Sequence, residues 1–436
     1  MQTMVSRVMT GLVVVVFSWN SLAAQNPKSS SIGTIPVTGK ENANLKPFDR
    51  LMLSFLKKHN IPGASLAVVK NGRLVYARGF GYADKKKREA VQPTSLFRIA
   101  SISKPITAVA IFRLVEQGKL SLDDRVFDIL KIKPFLPDGG KFDERHKKIT
   151  IRHCLQHTGG WDRYASFDPM FRPVIIANSL KVKPPAKPNH IIRYMLGRKL
   201  DFDPGQKYAY SNYGYCLLGR VIEKKSGLTY ENFVKREVLN PVKIRRMKIG
   251  RTLFSGRAAG EVRYYHNGRN DAKSVFAENL GKPVPSQYGG WYLEAMDSHG
   301  AWIASAVDLA RFAAALDRLK QSKIMTPASY REMFAAPPEP VWRTKRGQLK
   351  AAFYACGWMV RPAGNRGGFN CWHTGSLPGT STILVRRHDG LSWAVLFNTR
   401  KSKTGQPPAR EIDSLVHRAA NAVKKWPRAD LFPEYP

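Results

Sequence analysis

Acidic side chains are scarce in this sequence. Only 32 of its 436 residues are Asp or Glu, against 71 Lys or Arg, which gives a formal net charge of +39. Such an excess suggests nucleic-acid binding, but the basic residues are scattered in short clusters and form no recognisable nucleic-acid module. We therefore expect no nucleic-acid partner. We expect instead a solvated basic surface attracted to anionic cell-wall polymers or membrane headgroups.

Long apolar runs are also missing. The longest covers residues 11–19 and is too short to cross a bilayer comfortably. Because it follows the basic Arg7 and precedes small residues at positions 21–24, it is typical of a signal peptide. We expect residues 1–24 to be this signal peptide and the protein to be exported, either periplasmic or secreted. No cysteine stands at the predicted cleavage point, so a lipid anchor is not indicated.

The rest of the chain divides by composition. Residues 25–46 are rich in Ser, Asn, Pro, Thr and Gly, which predicts a flexible leader. Residues 47–425 carry the patterns of a folded domain, and residues 426–436 are interpreted as a C-terminal tail. A hydrophobic content of 43% excludes a disordered or fibrous chain.

Cysteine is rare, with four residues in the chain. Cys356 and Cys371 flank a turn at nearly equal spacing, so a disulfide across a hairpin is one interpretation and two small buried side chains are the other. The pairing of the remaining two is undetermined. Cys154 stands between His153 and His157, where a zinc-binding H-E-x-x-H motif has glutamate. We therefore expect no metal site and no cofactor.

The pattern of elements predicts an α+β fold. Two β-rich runs within residues 64–78 are joined by Asn71-Gly72, the strongest short hairpin signal. Further β-like runs occupy residues 353–398, and a last helix is predicted over residues 409–424. Strands near both ends indicate an antiparallel sheet flanked by helices, with a mainly helical insertion at about residues 100–320.

The first candidate for chemistry is the sequence S-I-S-K at residues 101–104. It follows a strand-like approach and opens a strongly apolar helix. Residues three apart share a helix face, so the Lys104 nitrogen can reach the Ser101 hydroxyl and help it act as a nucleophile. The pattern alone is weak, because residues 54–57 repeat it inside an ordinary amphipathic helix.

Two later motifs strengthen this candidate. Tyr210-Ser211-Asn212 and His373-Thr374-Gly375 follow Ser101-x-x-Lys104 in that order. Together the three motifs resemble those of the serine β-lactamase and DD-peptidase superfamily, in its class C β-lactamase-like branch. The resemblance covers roughly residues 46–425. It implies a β-lactamase/transpeptidase-like fold and a serine hydrolase that forms an acyl-enzyme on Ser101.

The resemblance also implies roles for individual residues. Lys104 and Tyr210 would activate Ser101, with the Lys104 ammonium lowering the pKa of the Tyr210 phenol so that the phenolate accepts the serine proton. Which of the two is the base remains open at this point. Asn212 would bind Lys104 and the substrate amide, and the backbone N–H groups of Ser101 and Ser376 would form the oxyanion hole.

The third motif departs from the Lys-Thr-Gly of many relatives. Histidine at position 373 is largely neutral near pH 7, so we expect substrate-carboxylate binding by His373, Thr374 and Gly375 to be weaker or pH-dependent. If His373 contacts the carboxylate, catalytic efficiency on acidic substrates falls as pH rises through its pKa. A second His-Thr-Gly, at residues 157–159, follows a helix-like segment and is interpreted as a loop or cap.

Two function classes follow. The first is an exported serine hydrolase that acts on an ester or amide of a small molecule or peptide, as an esterase, a D-alanyl-D-alanine carboxypeptidase or a β-lactamase-like enzyme. The second is a non-catalytic, penicillin-binding-like protein, or one that binds anionic wall polymers through its basic surface. The presence of all three motifs favours the enzyme. The natural substrate and the oligomeric state are not determined by the sequence.

Overall fold

The computed structural model describes residues 35–137, 139–266, 271–317, 322–363 and 368–436. Within these ranges the α-helices are α1 (Lys46–His59), α2 (Ser103–Glu116), α3 (Val126–Leu130), α4 (Ile151–Leu155), α5 (Pro173–Ser179), α6 (Pro188–Leu196), α7 (Asn212–Ser226), α8 (Tyr230–Val234), α9 (Ala306–Asp317), α10 (Pro327–Phe334) and α11 (Pro408–Asn421). The strands are β1 (Val37–Thr38), β2 (Gly63–Lys70), β3 (Arg73–Asp84), β4 (Glu89–Ala90), β5 (Phe97–Arg98), β6 (Lys248–Ile249), β7 (Ala272–Lys273), β8 (Pro283–Val284), β9 (Trp302–Ala304), β10 (Phe353–Tyr354), β11 (Met359–Pro362), β12 (Phe369–Leu377), β13 (Thr380–Arg386) and β14 (Leu391–Phe397).

The main sheet joins the two ends of the described chain. Its strands run in the order β1-β3-β2-β14-β13-β12-β11-β10, with β4 paired to β3, and every pair is antiparallel. Strand β14 pairs with β2 from Leu391 opposite Lys70 to Phe397 opposite Ala64, which closes the sequence gap between the early and late strands. The predicted α+β fold with its split antiparallel sheet is confirmed.

Local sequence explains the best-predicted parts of this sheet. Asn71 and Gly72 both have positive φ, 51° and 72°, as a two-residue hairpin turn of type I′ requires. Along β2, Leu66 and Val68 belong to a core beneath α1 and α11, whereas Ala67 and Val69 belong to the larger core on the α2 and α9 side. Both faces of the sheet are therefore covered by helices, which is why β2 is largely apolar.

The insertion is longer and less purely helical than predicted. Helix α2 is buried on nearly all sides, as its apolar sequence indicates. Helices continue to the end of α10 at Phe334, and the insertion also contains a three-stranded sheet, β5-β9-β6, and the hairpin β7-β8. These strands have only two or three residues each, too few to produce a visible alternation in sequence.

Both predicted domain limits need correction. Residues 35–45 of the expected leader belong to the fold, because β1 pairs with β3 and Leu45 is fully buried. The predicted tail docks on the domain, since the Leu431 N–H donates to the Leu74 carbonyl and the Phe432 side chain is 9% exposed. The signal peptide and residues 25–34 of the leader lie outside the described residues. No described helix is long and apolar enough to span a membrane.

The disulfide between Cys356 and Cys371 is absent, and both thiols are free and buried. Equal spacing about the turn would place the two cysteines opposite each other, but the register pairs Val360 with Cys371. Cys356 therefore lies four residues out of register, in the connection between β10 and β11. The alternative interpretation, of small buried side chains, is the one the structure supports.

Candidate active site

Ser101 lies in a 3₁₀ turn, Ala100–Ile102, between β5 and α2. The hydroxyl of Thr382 on β13 donates to the Ile99 carbonyl at 2.9 Å, which ties this turn to the main sheet. Ala100 has a φ of 49°, a left-handed conformation that residues other than glycine adopt rarely. Strained backbone of this kind often marks a functional site, and here it directly precedes the candidate nucleophile.

Gly375 allows β12 to lie directly on this turn. A Cβ atom built on Gly375 would overlap the Ile99 carbonyl oxygen and the Thr382 hydroxyl. Only glycine therefore fits between the sheet and the Ser101 turn. Strand β11 pairs with β12 no further than Trp372. On the β11 side, the residues of β12 from His373 onward therefore have no strand partner among the described residues.

Lys104 lies beneath Ser101 on the first turn of α2 and is fully buried. Its Nζ is 3.1 Å from the Ser101 Oγ, 2.8 Å from the Asn212 Oδ1 and 2.9 Å from the His299 carbonyl oxygen. The i,i+3 spacing predicts the first contact, and the second joins two of the predicted motifs. The His299 contact has no sequence signal, because a backbone carbonyl acceptor does not depend on residue type.

The environment of Lys104 favours the neutral amine. Burial holds its pKa well below the usual range, an effect that the Asp168 carboxylate opposes and the Arg163 guanidinium reinforces. A neutral amine has two protons, and two of the three partners, the Asn212 Oδ1 and the His299 carbonyl, can only accept hydrogen bonds. The nitrogen lone pair is then directed at the Ser101 hydroxyl.

Tyr210 differs from the prediction in its ionisation. Burial raises the pKa of its phenol, although a hydrogen bond with Ser101 and the Arg163 guanidinium act in the opposite direction. The ring centroid of Tyr210 is 5.0 Å from the Arg163 guanidinium carbon and 4.3 Å from the ring centroid of His157. Burial thus favours the neutral form of both groups, which argues against the expected phenolate beside a Lys104 ammonium.

Asn212 begins α7, directly after the N-cap Ser211. Its side-chain amide accepts from Lys104 and donates from Nδ2 to the Asp168 Oδ2 at 2.7 Å. Asp168 also accepts from the Met170 N–H at 3.1 Å. The Asp168 carboxylate accepts from the Asn212 NH₂ group, which fixes the amide with its oxygen toward Lys104. Asp168 is thus a positioning residue for the site.

We predict that Asp168→Asn lowers kcat about 10-fold with little change in KM, because an amide at 168 cannot accept from both Asn212 and Met170. Loss of the carboxylate also removes a group that raises the Lys104 pKa. The acid limb of the rate profile is then expected to move to lower pH, which pH-rate measurements will test. Asp168→Glu, which keeps the charge, is the control. An unchanged acid limb in Asp168→Asn would contradict the role.

His373 is 5% exposed, and both of its ring nitrogens have partners. The Nδ1 is 2.8 Å from the Thr374 carbonyl oxygen, and the Nε2 is 3.0 Å from the Tyr354 hydroxyl. Since the carbonyl can only accept, Nδ1 carries the proton and Nε2 accepts from Tyr354. Burial and the nearby Lys104 lower the His373 pKa to about 3. The neutral ring expected of His373 near pH 7 is therefore favoured, which argues against the pH-dependent alternative for carboxylate binding.

We predict that His373→Gln leaves the shape of the kcat/KM profile unchanged between about pH 5 and pH 9. A group with a pKa of about 3 stays neutral throughout that interval. The measurement is ester turnover across this range for both proteins. A limb near pH 6 to 7 that is present in the wild type and missing in the variant would show that His373 does titrate (reference pKa about 6.5).

Thr374 and Ser376 lie on the face of β12 opposite to that of His373. Trp372, two residues before Thr374, packs against the core beneath α1 and α11, and alternate residues of a strand share a face. Thr374 is exposed, and the Ser376 Oγ accepts from the Arg400 Nε at 3.3 Å. The structure thus brings the predicted residues of β12 to an open strand edge beside Ser101, while their contacts with substrate stay predictions.

The sequence did not reveal three neighbours of the predicted residues: Asp168, Arg163 and His157. The second His-Thr-Gly does lie in a loop, as expected, but the His157 ring packs on Tyr210 and its Nδ1 accepts from the Ser211 N–H at 3.2 Å. Burial and the nearby Lys104 hold the His157 pKa well below its usual range. The repeated motif was the only signal for any of these three residues. No group of His, Cys, Asp or Glu within the described ranges is arranged to hold a metal ion.

Comparisons with known proteins identify the family of the chain. Residues 48–417 match the Beta-lactamase family. The chain is 29% identical to penicillin-binding protein 4* of Bacillus subtilis over 373 residues, which are 84% of this chain and 73% of that protein.

Two solved structures share the fold. EstCE1, described as a hydrolase with promiscuous acyltransferase activity, has a TM-score of 0.63 at 21% identity, covering 88% of this chain and 99% of its own. The D-amino acid amidase of Ochrobactrum anthropi has a TM-score of 0.65 at 19% identity, with the same coverage. Since the family match spans most of the sequence, the chain belongs to the Beta-lactamase family of serine hydrolases.

Proposed function

We propose that this protein hydrolyses an ester or amide through an acyl-enzyme on Ser101, with the neutral amine of Lys104 as the base. The observation that carries the proposal is the hydrogen-bond set of Lys104, in which two obligate acceptors use both amine protons and leave the lone pair for Ser101. A buried neutral lysine beside a serine is a recognised way to activate the hydroxyl.

The acylation step follows from this arrangement. The Ser101 Oγ attacks the substrate carbonyl carbon as its proton passes to the Lys104 Nζ. The negative charge on the carbonyl oxygen is stabilised by the backbone N–H groups of Ser101 and Ser376. The neutral Tyr210 phenol donates a proton to the departing alcohol or amine and regains one from the Lys104 ammonium, so Lys104 returns to the neutral amine.

Deacylation uses the same groups in reverse. A water molecule attacks the ester carbon and loses a proton to the base, and the Ser101 oxygen leaves with a proton. The sum is one substrate and one water converted to an acid and an alcohol or amine. The relative penicillin-binding protein 4* is consistent with peptide or β-lactam substrates, and the pattern in residues 1–24 supports export to the periplasm or the medium.

Covalent labelling tests the proposal. The folded wild type should be labelled by a fluorophosphonate or a fluorescent penicillin, and mass spectrometry should locate the adduct on Ser101. Ser101→Ala should lose the label, whereas Ser54→Ala, in the other S-x-x-K sequence, should keep it. p-Nitrophenyl esters, D-Ala-D-Ala peptides and nitrocefin then separate esterase, peptidase and lactamase activity. Folded wild-type protein that takes no label and turns over none of these substrates would contradict the proposal.

A second candidate, binding of anionic wall polymer, is favoured by one surface cavity. Its volume is about 690 Å³, and it lies where α1 ends and the segment after β14 begins. Its lining includes four lysines and no acidic residue: Lys57, Lys58, Lys401 and Lys403. Salt-sensitive binding of an anionic glycan that is retained in Ser101→Ala and lost when these lysines become glutamine would support this candidate. Equal binding by the glutamine variant would exclude it.

A further inference from the structure

Three large apolar side chains are exposed around one surface cavity between α5 and the β7-β8 hairpin. Phe171 is 40% exposed, Ile175 54% and Leu280 43%, and we call the three the apolar cluster. The cavity that they line has a volume of about 420 Å³. Eight large apolar side chains are exposed among the described residues, and three of the eight meet here. Single exposed apolar residues are ordinary, but a cluster of them marks an interaction surface.

Folding does not account for the apolar cluster. Ile175 lies on the exposed face of α5, Phe171 ends the 3₁₀ turn Pro169–Phe171, and Leu280 lies in the connection between β7 and β8. Solvated helix faces and turns are ordinarily polar. None of the three side chains belongs to either of the two hydrophobic cores within the described ranges. Their apolar character therefore points to a partner outside the chain.

Positive charges surround the apolar cluster. Arg172 and Lys273 are exposed and line the same cavity, and the exposed Lys282 follows Leu280 by two residues. No acidic residue lines the cavity in the part of the chain that the structure describes. A partner that offers both negative charge and an apolar phase can therefore contact the cations and the cluster at the same time.

The apolar cluster also lies close to the candidate active site. Phe171 follows Asp168 by three residues, which limits the distance between their Cα atoms to about 11 Å. Asp168 in turn holds the Asn212 amide, which accepts from Lys104. A surface bound at the cluster would therefore lie beside the residues that surround Ser101.

We propose that the apolar cluster docks the protein on an anionic phospholipid bilayer. The three side chains enter the boundary between headgroups and acyl chains, and the surrounding cations contact the lipid phosphates. The net charge of +39 attracts the protein to such a surface. A glycan offers negative charge but no apolar phase, so the bilayer is the partner that matches both features. This inference goes beyond the proposed hydrolysis and does not depend on it.

Sedimentation with lipid vesicles tests the docking. The vesicles contain phosphatidylcholine alone or with an equal amount of phosphatidylglycerol. The wild type should bind the anionic vesicles and keep part of this binding in about 1 M salt, where charges are screened within about 3 Å. Combining Phe171→Ser, Ile175→Ser and Leu280→Ser should weaken the salt-resistant binding about 10- to 100-fold.

Leu349→Ser is the matched control, because Leu349 is an exposed leucine outside the cavity. It should bind as the wild type does. Residues 1–24 are the same in every variant, so a difference in binding reports on the substituted side chains. Thermal unfolding will show that each variant is folded.

A fluorescent label reports insertion directly. The four native cysteines are buried, so an environment-sensitive maleimide should react mainly with an introduced thiol. The label on Ile175→Cys should shift its emission to the blue when the protein binds anionic vesicles. The same label on Leu349→Cys should not shift, and unsubstituted protein will show the background of labelling.

Wild-type protein that does not bind the anionic vesicles would overturn the proposal. Equal binding by the triple variant at both salt concentrations would do so too, because general charge attraction would then suffice. Equal binding to both kinds of vesicle would contradict the part assigned to the cations. A blue shift at Ile175→Cys with a soluble anionic glycan, or in concentrated protein without lipid, would assign the cluster to a polymer or to a second copy of the chain instead.

Discussion

Replacing Lys104 with arginine is expected to lower kcat/KM by about 10⁴-fold, the upper range for removal of a general base. Arginine stays protonated at every accessible pH, so it has no lone pair to accept the Ser101 proton. The Lys104 site favours a neutral amine because it is fully buried and two of its three partners are obligate acceptors. A permanent cation at this position keeps the attraction to those acceptors but removes the base.

The same argument gives the pH dependence of the wild type. As pH falls through the folded-state pKa of Lys104, the amine binds a proton and kcat/KM decreases. Because burial holds that pKa well below the ordinary value for lysine, the enzyme should keep activity at pH values where an exposed lysine would be fully protonated. Rate profiles with a neutral ester will show this acid limb.

A second substitution distinguishes loss of the base from a folding defect. Lys104→Met has a similar volume and no charge, so it should remain folded and show the same loss of turnover. Circular dichroism and thermal unfolding will compare both variants with the wild type. Turnover within 10-fold of wild type in a folded Lys104→Arg protein would contradict Lys104 as the base, since such a loss is far below the range for this role.

Short-range patterns predicted the parts of the fold and site that depend on neighbours in sequence. The Asn71-Gly72 turn needs only two residues that tolerate positive φ. Ser101 and Lys104 face each other because they are one helical turn apart. Asn212 could be placed near Lys104 only through the family resemblance, because 108 residues separate the two.

Ionisation could not be predicted in this way. The pKa of Lys104, Tyr210 or His373 depends on burial and on charges contributed by several distant segments. The residue types suggest a lysine cation and a titrating histidine, which are their ordinary states in water. Burial lowers the pKa of both side chains, and burial of an individual side chain is not visible in a polar motif.

Contacts between residues distant in sequence could not be predicted either. The sequence of residues 25–46 has a loop-like composition, yet two residues in it, Val37 and Thr38, take the hydrogen bonds offered by the edge of β3. The sequence left a disulfide between Cys356 and Cys371 open, because the hairpin register, not the spacing about its turn, decides which residues face each other. Asp168 has no motif at all and gains its role only by folding against Asn212.

Gly375→Ala is expected to reduce kcat about 10²- to 10³-fold, the cost of losing an oxyanion-hole donor. The added Cβ overlaps the Ile99 carbonyl and the Thr382 hydroxyl, so β12 must move away from the Ser101 turn and carry the Ser376 N–H with it. Overpacking of this kind also lowers the free energy of unfolding by about 1–3 kcal/mol. Denaturant unfolding and ester turnover will measure the two effects separately.

Gly300→Ala is the matched control. Gly300 is also buried, but a Cβ atom there meets no neighbour closer than 3.8 Å, so turnover and stability should stay close to those of the wild type. If Gly375→Ala also keeps nearly full turnover while Ser101 is labelled normally, the position of β12 is not what sets the reactivity of Ser101. If turnover falls only in proportion to the folded fraction, Gly375 serves stability alone. A loss of kcat in Gly375→Ala that exceeds the loss of folded protein would show that the oxyanion-hole donor depends on the position of β12.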